Sequence, residues 1–164
     1  MLVSISPNSS NSMSKPLDAT LSTEIAKRIK SKAKNSCDNA YNAALLTEGA
    51  IYVQGFLVFA GEPYKPIEHC WIEIENSLVD PTLPHLSKNS EELYYFPAQR
   101  LSVEELKAAV EEAKEDYPED EPLPIYGDAP YEYYGDIMLG GAEYQAAYKE
   151  ALAKSKELNK PKLN

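Results

Sequence analysis

Residues 68–82, EHCWIEIENSLVDPT, decide how this chain folds. Apolar and polar residues alternate through 68–74, with Cys70, Ile72 and Ile74 on one face of a strand and His69, Trp71 and Glu73 on the other. If Glu75 and Asn76 form the turn of a hairpin, Ile74 lies opposite Ser77 and Asp80 opposite Trp71. Asp80 then shares the face of His69 as a diagonal neighbour. From there its carboxylate can accept a hydrogen bond from the imidazole and fix its tautomer. A slip of one residue reverses the outcome, so the turn carries the prediction.

Outward from this hairpin, residues 51–60 (IYVQGFLVFA) are dense in β-branched and aromatic side chains and predict a central strand, with Gly55 at a bulge or close approach. Leu21, Ile25 and Ile29 recur at helical spacing and predict an amphipathic helix to about residue 33. Asn35 and Ser36 are capping residues, Asp38 suits the positive end of a helix dipole, and Gly49 suits a C-cap, so a second helix is expected over about 37–47. Its small residues Ala40, Ala43 and Ala44 allow close approach to a sheet. Downstream, 92–96 (ELYYF) predicts a short strand. Ser102 with Glu105 is a capping box opening a helix to about residue 114, the Pro-rich and acidic 116–130 predicts irregular backbone, and 142–158 predicts a last helix.

Helices followed by strands and then helices give an α+β class, with an antiparallel sheet packed on the helix that begins near Cys37. Residues 1–19, rich in Ser and Asn, read as a disordered arm. Residues 20–158 read as one domain, with a core over about 36–100, helical additions over about 102–158, and a tail over 159–164.

A hydrophobic fraction of 43% supports a buried core, and a net charge of −10 argues against nucleic acid, whose binding rests on Lys and Arg displacing counterions. Basic 27–34 and acidic 104–121 read as solvated helix faces. No apolar run reaches the roughly 18 residues of a membrane span, and the first residues lack the pattern of a leader. Two cysteines allow at most one internal disulfide, so the expectation is a cytoplasmic protein in a reducing compartment, with no cofactor, metal or membrane partner. Oligomeric state is not legible.

Cys37, at the head of a helix, has the setting that favours a thiolate. With His69 as base and Asp80 as orienting acid it forms an ordered Cys-His-Asp trio. NSCDNAYNAAL, YVQGF, HCWIEIE and LVDPT, in that order, resemble the core of transglutaminase-like proteins of the papain-like superfamily. The likeness covers somewhat over a quarter of the chain. It implies a papain-like or transglutaminase-like core and acyl transfer from an amide in a peptide, protein or small molecule: proteolysis, amide hydrolysis, deamidation or cross-linking. The sequence departs from the family in a short Cys-to-His interval and in Cys70 standing where a small residue is usual.

Gln54, polar on an apolar strand, is the candidate side-chain donor to an oxyanion, beside the backbone N–H of Cys37. Trp71, Tyr133 and Tyr134 are candidate substrate contacts, although tyrosines between 126 and 148 also suit packing of the C-terminal segment. Cys70 falls on the face opposite His69 and reads as core. Two rivals stand beside the enzyme: the same fold with an idle trio serving as a binding or regulatory protein, and a zinc module using Cys37, Cys70, His69 and His85, which lack paired ligand spacing.

Overall fold

Alternating strand patterns and capped helices resolve into a mixed α+β structure. The computed structural model describes residues 15–125, 131–134 and 137–160. Helix α1 (Ala19–Ile29) starts where the Asp18 carboxylate accepts the Leu21 N–H at 3.0 Å, and ends at Lys30, which takes a left-handed conformation with φ 56°. Helix α2 spans Ser36–Leu46. Strands β1 (Ile51–Val58), β2 (Ile67–Ile74), β3 (Ser77–Val79) and β4 (Tyr94–Ser102) form one antiparallel sheet in the order β3-β2-β1-β4.

The β2–β3 hairpin has the expected register: Ile74 pairs with Ser77 and Ile72 with Val79, while Glu75 turns the chain at φ 53°. Asp80 therefore continues on the His69 face. At Gly55 the β1–β4 pairing shifts register, and a Cβ there would lie 2.1 Å from the Phe96 carbonyl oxygen. Only glycine permits that approach.

Helix α3 (Val103–Asp116) opens with the full capping box: Ser102 Oγ accepts the Glu105 N–H, and the Glu105 carboxylate accepts the Ser102 N–H. Helix α4 spans Ala142–Leu158. Strands β5 (Tyr131–Tyr134) and β6 (Ile137–Gly140) form a separate hairpin in a stretch to which sequence reading gave no element. Strand β4 runs well past the expected 92–96, because all eight residues of β1 find partners along it.

The sheet has two unlike faces. On one, Ala40, Ala43 and Ala44 of α2 pack against Tyr52, Cys70, Ile72 and Val79, joined by Leu106 and Val110 of α3. On the other, Val53, Leu57, Trp71, Leu78, Leu93 and Tyr95 form a second cluster. Each large apolar side chain buried in these layers contributes about 1.5–3 kcal/mol. A third cluster seats Tyr144, Ala147 and Ala151 of α4 on Phe56 and Val58.

The expected arm of residues 1–19 needs one correction. Leu17 bridges to Leu78, the Leu78 N–H donates to the Pro16 carbonyl at 2.8 Å, and Asp18 caps α1. The open edge of β3 supplies backbone partners that a Ser- and Asn-rich composition does not reveal. Residues 1–14 lie outside the described residues. Among the described residues no helix is long and apolar enough to cross a membrane.

Candidate active site

The sequence Asp-Pro-Thr after β3 builds its own turn. The Asp80 Oδ1 accepts the Thr82 N–H at 2.9 Å, and the Leu83 N–H returns to the Asp80 carbonyl at 3.0 Å. A short acidic side chain suits such a turn because it reaches the N–H two residues on. The carboxylate is thereby fixed before it meets any other side chain. Its second oxygen takes two further hydrogen bonds, from His69 Nε2 at 2.8 Å and from the Tyr95 hydroxyl at 2.7 Å. Asp80 is wholly buried and His69 nearly so. A buried carboxylate persists when its oxygens are filled in this way.

Aromatic rings enclose the pair. Trp71 stacks on His69 at 6.2 Å between ring centres, and Tyr95 meets Trp71 edge-on at 5.0 Å. Burial, with Asp80 beside it, pushes the Tyr95 hydroxyl far above its ordinary value. In the fold the Tyr95 hydroxyl is thus held as a donor to the carboxylate. With Nε2 given to Asp80, Nδ1 is the imidazole nitrogen left to exchange a proton.

Cys37 begins the second position of α2, whose N-cap Asn35 makes no side-chain capping bond. Buried Asn39 anchors this end of the helix. Its amide bonds both the N–H and the carbonyl of Lys32 and donates to Thr82 Oγ1 at 2.8 Å, tying the helix start to the Asp-Pro-Thr turn. Ser36 Oγ accepts the Cys70 N–H at 3.3 Å, at the part of β2 that β3 does not pair. The first turn of α2 therefore lies against the strand that carries His69.

The cysteines correct the sequence reading. Cys37 is joined to Cys70 in a disulfide, with the two Cα atoms 4.7 Å apart. Alternation places the Cys70 side chain on the helix face of β2, so the bond holds the Cys37 sulfur on the side away from the imidazole. His69 and Asp80 are brought together; Cys37 is brought to the neighbouring residue of the same strand. Neither cysteine is a free thiol in this state, contrary to the expectation of reduced residues.

Gln54 is also differently employed. It is fully buried, its Oε1 accepts the Tyr52 hydroxyl at 2.9 Å and the Ile125 N–H at 3.1 Å, and its Nε2 donates to the Ile125 carbonyl. The Tyr144 hydroxyl donates to that same carbonyl at 2.9 Å. The carboxamide pairs with one peptide unit as a neighbouring strand does, so it holds the segment before residue 126 and is not offered to an oxyanion.

Trp71 is fully buried behind the His69–Asp80 pair, which removes it as a surface contact for substrate. Tyr133 is 73% exposed on the β5–β6 hairpin; Tyr134 lies in β5 of the same hairpin. Tyr144 and Tyr148 follow the packing expectation, the latter edge-on to Phe56 at 5.3 Å. His85 Nε2 lies 3.0 Å from the Ser31 carbonyl oxygen. Among the described residues no three His, Cys, Asp or Glu side chains gather as a metal site.

Tyr95 is the functional candidate that sequence reading missed. Its strand was expected, but the pairing of β4 with β1 depends on a long connection whose register no local turn fixes. Comparison with protein-family models, with curated proteins and with solved structures found no match to this chain.

Proposed function

We propose that this protein is a thiol hydrolase or acyltransferase with a papain-like or transglutaminase-like core, acting on an amide bond when Cys37 is reduced. The supporting observation is the buried His69–Asp80 pair, whose carboxylate is held by three donors beside a helix that starts with Ser36-Cys37. Burying an acid against an imidazole at such expense of desolvation suits a site that must keep one tautomer and stabilise an imidazolium.

In this reading reduction releases the Cys37 sulfur, and rotation about its Cα–Cβ bond turns it from Cys70 toward the strand edge where His69 stands. The thiol gives its proton to Nδ1 of His69, and the positive end of α2 favours the thiolate. The sulfur attacks the amide carbonyl carbon, backbone N–H groups at the helix start receive the oxyanion charge, and the imidazolium returns its proton to the leaving amine. Water or a second amine then attacks the thioester, giving acid or a new amide and regenerating the thiol. Asp80 positions the imidazole throughout, and Tyr95 positions Asp80.

The test is the rate of Cys37 alkylation by iodoacetamide near neutral pH in fully reduced protein. The reading expects a rate at least about tenfold above that of an unperturbed thiol, lost in His69→Ala and reduced in Asp80→Asn. An ordinary rate, unchanged by His69→Ala, overturns it. The near-complete burial of His69 favours a second reading, an idle trio in a binding or regulatory protein. That reading expects the ordinary rate.

A further inference from the structure

We propose that Cys70 is a resolving cysteine and that the Cys37–Cys70 bond is a reversible oxidative lock on the nucleophile; the proposal rests on the reading of Cys37 as that nucleophile. Three observations support a lock over a staple. First, the bond is one of several contacts between the two elements it joins: Ala40, Ala43 and Ala44 lie against Cys70 and Ile72, and the Ser36 hydroxyl accepts the Cys70 N–H. Second, the partners are unequal. Cys37 is half-buried at a helix start and Cys70 is wholly buried, so an oxidant entering from solvent meets the sulfur whose thiolate the helix favours. Third, the bond draws the Cys37 sulfur to the face opposite His69, so the oxidised state holds the nucleophile away from its base.

The chemistry needs a hydroperoxide and a dithiol. The Cys37 thiolate attacks the terminal peroxide oxygen, the O–O bond breaks, and the departing alkoxide or hydroxide takes a proton to leave as alcohol or water. Cys37 becomes a sulfenic acid, oxidised by two electrons. The Cys70 sulfur attacks the Cys37 sulfur, the S–O bond breaks, and hydroxide leaves with the Cys70 proton as water. To reopen the lock, one sulfur of a dithiol attacks Cys37 and expels Cys70 as a thiol. The second sulfur of the reductant then expels Cys37, and the reductant leaves as a cyclic disulfide.

Folded, reduced full-length protein treated with equimolar hydrogen peroxide is probed with iodoacetamide at Cys37 and with dimedone for sulfenic acid, before and after dithiothreitol. The expected result for the native chain is loss of Cys37 alkylation, no dimedone adduct and full recovery. Cys70→Ser, with Cys70→Ala as a second choice for packing, should instead give the dimedone adduct on Cys37. A bond that dithiothreitol opens only in denaturant, or a native chain that accumulates the dimedone adduct, overturns the lock. The His69→Ala variant separates the two claims. Reversible oxidation with alkylation indifferent to His69 keeps the lock's chemistry and removes the enzyme, whereas His69-dependent alkylation with an irreducible bond does the reverse.

Discussion

Residues 69 and 70 are neighbours in one strand, yet they stand in two different chemical settings. On the His69 face the contacts are directional and polar: a carboxylate with three donors, closed in by Trp71 and Tyr95. On the Cys70 face a helix of small residues lies close to the sheet, and one covalent bond crosses between them. The first arrangement is indifferent to redox conditions; the second turns on the state of one disulfide. One strand thus presents two settings a residue apart, so a substitution or a reductant aimed at one face leaves the other as its reference.

Alkali should disturb both faces most strongly. Burial raises the hydroxyls of Tyr95 on the first face and Tyr52 on the second, Glu68 and Asp38 adding to the latter, and Tyr144 in α4 follows for the same first cause. An acid whose folded value is raised stabilises the fold fully below its unfolded value, 10.0 for tyrosine, and loses that contribution as pH climbs through it toward the folded value. Stability should therefore fall steadily above about pH 10, with these three tyrosines ionising only as circular dichroism reports unfolding. Their ionisation in a chain that keeps its native signal would contradict the burial assigned to both faces.

Asp80→Ala should be the most damaging substitution on the His69 face. It strands the Tyr95 hydroxyl, removes the partner of His69 and leaves the Thr82 N–H without its acceptor. Loss of a buried charged hub of this kind costs about 3–5 kcal/mol, read from urea denaturation, and the loss should be equal with and without reductant. Reduction of the disulfide in the native chain should cost less, about 2–4 kcal/mol for a loop of this order. That cost should leave the near-ultraviolet signal of Trp71 unchanged, since Trp71 faces the other way. A shifted Trp71 signal on reduction would show the two faces to be coupled.

Much of the first face was legible and much of the second was not, for a physical reason. Strand alternation and a two-residue turn are local, so residues 68–82 alone placed Asp80 beside His69 and Cys70 away from it. Gly55 and the Ser102–Glu105 box were legible for the same cause. Where a helix start lands against a strand is a matter of tertiary packing. Nothing local said that Ser36 reaches the Cys70 N–H, so Cys37 was aimed at the imidazole when its sulfur lies with Cys70. Tyr95 was hidden by the long route to β4, and the β5–β6 hairpin by a tyrosine-rich stretch that also suits packing onto the sheet. Leu17 pairs only because β3 leaves an edge open, a property of the sheet and not of residues 1–19.

The smallest expected effect tests how Gln54 belongs to the Cys70 face. If its carboxamide serves only to hold residue 125 and the Tyr52 hydroxyl, Gln54→Leu leaves the Ile125 N–H without its acceptor, while the Ile125 carbonyl keeps the Tyr144 hydroxyl and the Tyr52 hydroxyl keeps the Cys70 sulfur at 3.3 Å. One orphaned donor costs about 1–3 kcal/mol, and leucine returns part of that by filling the space. The larger share should appear as faster amide hydrogen exchange at Ile125, with the His69 face unmoved. Because Gln54 pairs across the sheet with Cys70, while its polar atoms face Tyr52 and Ile125, the alkylation rate of reduced Cys37 should stay within about twofold of the native chain. A fall of tenfold or more, about 1.4 kcal/mol, would show that Gln54 also supports the Cys37 thiolate from its place across the sheet from Cys70.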